Sequence, residues 1–182
     1  MLTITNRGDS MTVFTVFMGV NELTEAIIGA AINVHKTLGP GLLESTYERC
    51  LGYELTKIGL KVRHQEPIAI QYEEMRIECG FKSDLLVDDR VFVECKAKDK
   101  IHPVDRAQTL THLRLLKLQV GLLINFNVVK LVTGVHRIVN NFRPDDPNPA
   151  WHPGGPQLGP LHEPASGLAC LPGNAPEVLR VS

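Results

Sequence analysis

The stretch "DLLVDDRVFVECKAK", residues 84–98, sets two apolar runs on either side of Asp88 and Asp89, and then places Glu94 and Lys96 two residues apart. Asp is a favoured turn residue, so "SDLLV" and "RVFVECKAK" read as two strands joined around that pair. Side chains alternate along a strand, which puts Glu94 and Lys96 on one face and Val93 and Cys95 on the other. Whether Asp84 joins the charged face depends on register. If Val87 pairs with Val91 across a three-residue loop, Asp84 stands opposite Glu94, with Cβ atoms about 5 Å apart. A two-residue loop sets Asp84 opposite Val93 instead.

Two carboxylates that close repel each other unless a cation lies between them. Mg²⁺ suits such a site, because it takes one or two carboxylates, several waters and a substrate phosphate. Lys96 on the same face is placed to orient a water or to stabilise charge developing on a phosphate. That is the chemistry of metal-assisted phosphodiester hydrolysis. The same spacing also suits an ordinary solvated strand face with a Glu–Lys pair, worth about 0–1 kcal/mol.

Outward from this stretch, the hydrophobic period changes several times. Leu23, Ala26, Ile27, Ala30, Ala31, Val34 and Leu38 recur at helical spacing, with Asn21 at the expected N-cap and Glu22 and Glu25 in the first turn. "LGPGLLE" breaks this helix, since Pro40 lies between two glycines. A second helix carries Leu43, Tyr47, Cys50, Leu51, Leu55 and Ile58 on one stripe and ends at Gly59. The period then becomes two: Ile68, Ile70 and Tyr72, and beyond an "EE" turn Met75, Ile77, Cys79 and Phe81, predict two antiparallel strands. Pro103 opens a third helix, with Val104, Ala107, Leu110, Leu115 and Leu118 mostly on one face, before the apolar strand "VGLLINF". Helix, helix, three or four strands, helix, strand is the order of a mixed α/β (α+β) domain whose sheet is flanked by helices.

Composition bounds this reading. At 182 residues, 43% hydrophobic and 21% charged, the chain has room for one domain with a real core. Residues 21–143 hold 17 Lys and Arg against 15 Asp and Glu, so bulk charge does not announce a nucleic-acid binder. The apolar stretch at residues 11–20 is half the roughly 20 residues of a spanning helix, so no membrane partner is expected. Cys50, Cys79, Cys95 and Cys170 show no CxxC or Cys/His spacing, so neither a zinc site nor a disulfide framework is implied, and a reducing cytoplasm suits them. Residues 1–20 read as a flexible N-terminal extension, with Met11 or Met18 as alternative starts. Residues 144–182, with nine prolines and five glycines among 39 residues, read as a disordered tail.

"GLLESTY", with Gly41, Glu44 and Tyr47, resembles the motif that names the GxxExxY family. The blocks "LTEAIIGAAINVHKTLGPGLLESTYE", "DLLV", "VECKA", "HPVDRAQTLTHLRL" and "VGLLINFNV" are similar to that family's successive blocks, over residues 21–141. The family is grouped with the PD-(D/E)xK nuclease-like superfamily. The resemblance therefore implies a restriction-endonuclease-like core, a central mixed sheet flanked by helices. It also implies Mg²⁺ or Mn²⁺ as cofactor, DNA or RNA as partner, Asp84, Glu94 and Lys96 as the D…ExK residues, and Glu44 as the upstream helical glutamate of the metal site.

Two more positions come with the resemblance. Related nucleases carry QxxxY where this chain has Gln108 and His112, one helical turn apart, and that pair helps to place the substrate backbone. His112 departs from the tyrosine; a histidine there either contacts a phosphate or sits solvated on the surface. Cys95 fills the middle of "ECK" as a small buried hydrophobe whose backbone carbonyl is a candidate metal ligand. Lys98, with Lys96, Lys100, His102 and Arg106, forms either a basic strip for a phosphodiester backbone or a solvated strand end. His35 and Tyr47 read as packing residues. The functional expectation is a metal-dependent nuclease, which as a homodimer would cut both strands. The alternatives are a non-catalytic binding module on the same fold and a small-molecule hydrolase.

Overall fold

The computed structural model describes residues 18–142; the expected N-terminal extension lies almost wholly, and the expected tail wholly, outside the described residues. Two helices come first, α1 (Val20–Leu38) and α2 (Glu44–Lys57), followed by β1 (Val62–Tyr72), β2 (Met75–Val87) and β3 (Val91–Lys96). Helix α3 (Pro103–Leu116) leads to β4 (Val120–Asn125), and a 3₁₀ turn, Leu131–Gly134, leads to β5 (Val135–Val139). The strands form one sheet in the order β1-β2-β3-β4-β5. All pairs are antiparallel except β3 with β4, which α3 connects.

Each face of the sheet has its own core. Leu85, Val87, Val91, Val93, Cys95, Leu122 and Ile124 pack against Leu23, Ile27 and Ala31 of α1 and Tyr47, Leu51 and Leu55 of α2. Leu86 and Phe92 face the other way, onto Leu113 of α3 and Leu118. The sheet is thus covered on both sides, the α/β layering expected for a strand set this apolar. Among the described residues, no helix is long and apolar enough to cross a membrane.

Several local expectations are corrected. Helix α1 begins after Gly19, not at Asn21, because the Glu22 carboxylate reaches back to accept the Gly19 amide proton. "SDLLV" is not a separate strand but the last part of β2, which runs 13 residues from the "EE" turn. β5 carried no expectation, and its burial alternates only weakly. The stripe expected on α3 is also turned: Val104 is 70% exposed, whereas Asp105, Thr109, His112 and Leu113 are buried. That inward face is largely polar and hydrogen-bonded, so no apolar period marks it. Thr109 donates to the Asp105 carbonyl, and Asp105 accepts the His102 amide proton at the start of the helix.

Candidate active site

The register left open by the sequence is the one with the three-residue loop. Val87 pairs with Val91, Leu86 with Phe92 and Leu85 with Val93. Asp88 and Asp89 take φ of 50° and 55°, a left-handed conformation that Asp tolerates. Pairing with β3 ends at Leu85; β2 continues along β1 alone, while β3 continues to Lys96 beside β4. One step past the last pair, Asp84 stands opposite Glu94. Where the strands part, the Asp84 Oδ2 accepts the Cys95 amide proton at 2.9 Å, replacing a backbone partner with a carboxylate.

Lys96 gathers the acidic groups. Its ammonium donates to Glu94 Oε1 at 2.6 Å, with both side chains largely buried. Burial works against the charge, but Glu94, then Glu44 and Asp84, outweigh it and hold the ammonium above the ordinary lysine range. Burial likewise pushes the Glu94 carboxyl up, and the His112 and Lys96 side chains reverse this to leave it below the usual range. Asp84 has weaker support. Burial first, and the Glu94 charge second, push its carboxyl up to about 7 against the pull of the Cys95 amide. A buried carboxyl shifted this way beside a cleft is a candidate for a functional site.

Helix α2 supplies the far wall. Glu44, its first residue, accepts the Ala97 amide proton at 3.0 Å and so reaches the end of β3. A cleft of about 520 Å³ is lined by Leu42, Leu43, Glu44, Ser45, Glu48, Gln65, Asp84 and Ala97. Glu94 and Lys96 are not part of that lining; they are held beside it. Tyr47 fixes the approach to α2: fully buried and stacked on Phe126 at 4.5 Å, its hydroxyl donates to the Gly39 carbonyl and accepts the Leu42 amide proton. Tyr47→Phe therefore leaves two backbone groups without a partner. It is expected to lower unfolding stability by about 1–3 kcal/mol in urea denaturation.

The remaining expected residues are placed as follows. Cys95 is 1% exposed and points into the core, and burial pushes its thiol well up, so the side chain is no ligand. Lys98 binds Asp105 Oδ1 at 2.8 Å and does not line the cleft, while its backbone is clamped by Asn125. Gln108 is exposed on α3. His112 is not a solvated surface histidine. It is 8% exposed, stacked on Phe81 at 3.9 Å, edge-on to Phe92, and its Nδ1 lies 3.6 Å from Glu94 Oε2. Gln108 and His112 thus sit in different surroundings despite their shared spacing.

Sequence reasoning passed over Glu48. It is 6% exposed, accepts a hydrogen bond from Gln65 Nε2 at 2.7 Å, and is held above the usual carboxylate range by burial. A signal existed: Glu48 lies four residues after Glu44 and three before Leu51, an acid at the margin of the apolar stripe. Among the described residues, no three acidic, His or Cys side chains stand ready as a metal cluster. The donor set still fits a divalent cation. Glu44, Glu48 and Asp84 crowd one cleft, with Asp84 destabilised as an anion by burial and then by Glu94, and Mg²⁺ needs only one or two of them besides water and phosphate.

A family model described as the PD-(D/E)XK nuclease superfamily matches residues 21–138, more than half of the 182-residue chain. No curated protein and no solved structure matches the chain.

Proposed function

The chain belongs to the PD-(D/E)XK nuclease superfamily, and on that premise we propose that it is a metal-dependent nuclease hydrolysing phosphodiester bonds of DNA or RNA. The observation that carries this reading is that Asp84 and Glu44 accept the backbone amide protons of Cys95 and Ala97, on either side of Lys96, whose ammonium holds Glu94. Within the superfamily we assign it to the GxxExxY group on Gly41, Glu44 and Tyr47.

In this reading Asp84 and Glu94, with Glu44 and Glu48 from α2, hold Mg²⁺ or Mn²⁺, and the Cys95 backbone carbonyl is a further oxygen at the same point of β3. When bound, the cation supplies Lewis-acid polarisation of the phosphate and a more acidic water. Lys96 stays protonated at neutral pH, so it acts as a fixed charge and donor toward the phosphate or the attacking water, not as a base. His112 holds Glu94 in place by its ring contacts. Gln108 and Lys98, at the surface of α3 and at its entry, are substrate-backbone contacts. The free thiols of Cys50 and Cys95 suit the reducing cytoplasm, and a homodimer is the assembly if both strands of a duplex are cut.

The deciding experiment is Mn²⁺ calorimetry on the wild type and Asp84→Ala, followed by assays of labelled DNA, RNA and nucleotides side by side with either metal. Binding that disappears in Asp84→Ala, with cleavage of a nucleic acid, is the expected result. Metal binding without cleavage of anything at any metal concentration would leave a non-catalytic binding module. Cleavage of nucleotides alone would point to a small-molecule hydrolase.

A further inference from the structure

Helix α2 carries a buried glycine in its interior, Gly52, where alanine would favour the helix. The structure shows what occupies the space. A Cβ at position 52 would overlap Cε1 and Nε2 of His64. The missing side chain admits the His64 imidazole against α2, and there its Nδ1 lies 3.7 Å from Glu48 Oε1. The other Glu48 oxygen accepts the Gln65 Nε2 proton at 2.7 Å.

Gln65 is itself unusual. It has φ of 49°, a left-handed conformation uncommon for a residue with a side chain, and lies between the pairs His64↔Leu85 and Glu66↔Ser83, opposite Asp84. Backbone held this way calls for a compensating role. Here it accompanies a side chain that lines the cleft and grips Glu48.

We propose that His64 and Gln65 are positioning residues that hold the Glu48 carboxylate aimed into the cleft beside Asp84, and that Gly52 is glycine so that the imidazole fits. The proposal rests on the nuclease reading for its purpose, since a carboxylate hydrogen-bonded at one oxygen and faced by an imidazole at the other is a preorganised metal ligand.

The test uses the full chain and two readouts. In the metal-free wild type, imidazole protons of His64 should show through-space NMR contacts to the Gly52 α-protons, and these should vanish in Gly52→Ala. By calorimetry, Gln65→Leu, His64→Ala and Gly52→Ala should each weaken Mn²⁺ binding by about 10–100-fold. The urea midpoint of Gly52→Ala should equal or exceed that of the wild type, so its weaker binding cannot be assigned to unfolding. Because Gly52→Ala and His64→Ala remove the same ring, the double variant should bind no more weakly than His64→Ala. Wild-type affinity in Gln65→Leu or Gly52→Ala, or additive losses in the double variant, would overturn the positioning role. A wild type that shows the NMR contact but binds no Mn²⁺ would overturn the nuclease reading, and with it the purpose assigned to the contact.

Discussion

Lys96→Ala is expected to lower metal-dependent cleavage by about 10²–10³-fold while Mn²⁺ affinity stays level or rises. The ammonium lies 2.6 Å from Glu94 and is held protonated by Glu94, Glu44 and Asp84. Under the proposed function it carries the charge that complements a phosphate in the transition state, and it costs little reorganisation at the moment of reaction. Removing it also takes a cation away from the carboxylates, which favours a metal ion in its place. The fold bears a cost, because Glu94 is 4% exposed and loses its ion-pair partner. Breaking one side of a buried pair costs on the order of 3–5 kcal/mol, so urea curves must accompany the kinetics. The double variant Lys96→Met/Glu94→Gln should recover part of that stability but no activity. Cleavage by Lys96→Ala at the wild-type rate would remove the ammonium from the chemistry.

Asp84→Asn is expected to make the metal-free protein more stable at pH 8 than the wild type, and to leave the two alike near pH 4. The sign follows from linkage. In the folded protein burial, and then Glu94, raise the Asp84 carboxyl to about 7, above its ordinary value of 3.8. A folded-state pKa above the unfolded one contributes stability that is complete below the unfolded value and is lost as pH rises through 7. A tenfold difference in proton affinity between the folded and unfolded states corresponds to about 1.4 kcal/mol. With the group partly open to solvent, the gap between variant and wild type should reach on the order of 2 kcal/mol. Urea unfolding in EDTA at pH 4, 6 and 8 measures it. Glu48 is also raised, but it is present in both proteins and cancels in the difference. Parallel profiles would show that Asp84 titrates in the ordinary carboxylate range. In the same window, Mn²⁺ binding to the wild type should release a proton, read as a buffer-dependent heat.

Lys96 and Asp84 owe their places to different kinds of information in the chain. Periodicity in the sequence determined that α1 and α2 exist and most of what they bury: Leu23, Ile27, Ala31, Tyr47, Leu51 and Leu55 are in the core, whereas Leu38, Leu43 and Ile58, read onto the same stripes, are exposed at the helix ends. It also determined that Glu94 and Lys96 share a face, because alternation along a strand is local geometry. Periodicity failed on α3, where the buried face is Asp105, Thr109 and His112. Asp105 and Thr109 are satisfied by the helix's own first turn and by Lys98, while His112 packs on the rings of Phe81 and Phe92 with its Nδ1 3.6 Å from Glu94.

The tertiary structure alone decided the register. A hairpin joined at Asp88 and Asp89 permits two pairings, and side-chain chemistry within the strands does not choose between them. Burial chooses: pairing Val87 with Val91 puts Leu85 and Val87 on the α1/α2 face and Leu86 on the α3 face, and a one-residue slip would reverse all of them. That choice, made by apolar packing over the whole sheet, is what sets Asp84 opposite Glu94. It also decided the environment of Glu48, His64 and Gln65, which come from a helix and a strand whose meeting no spacing rule encodes.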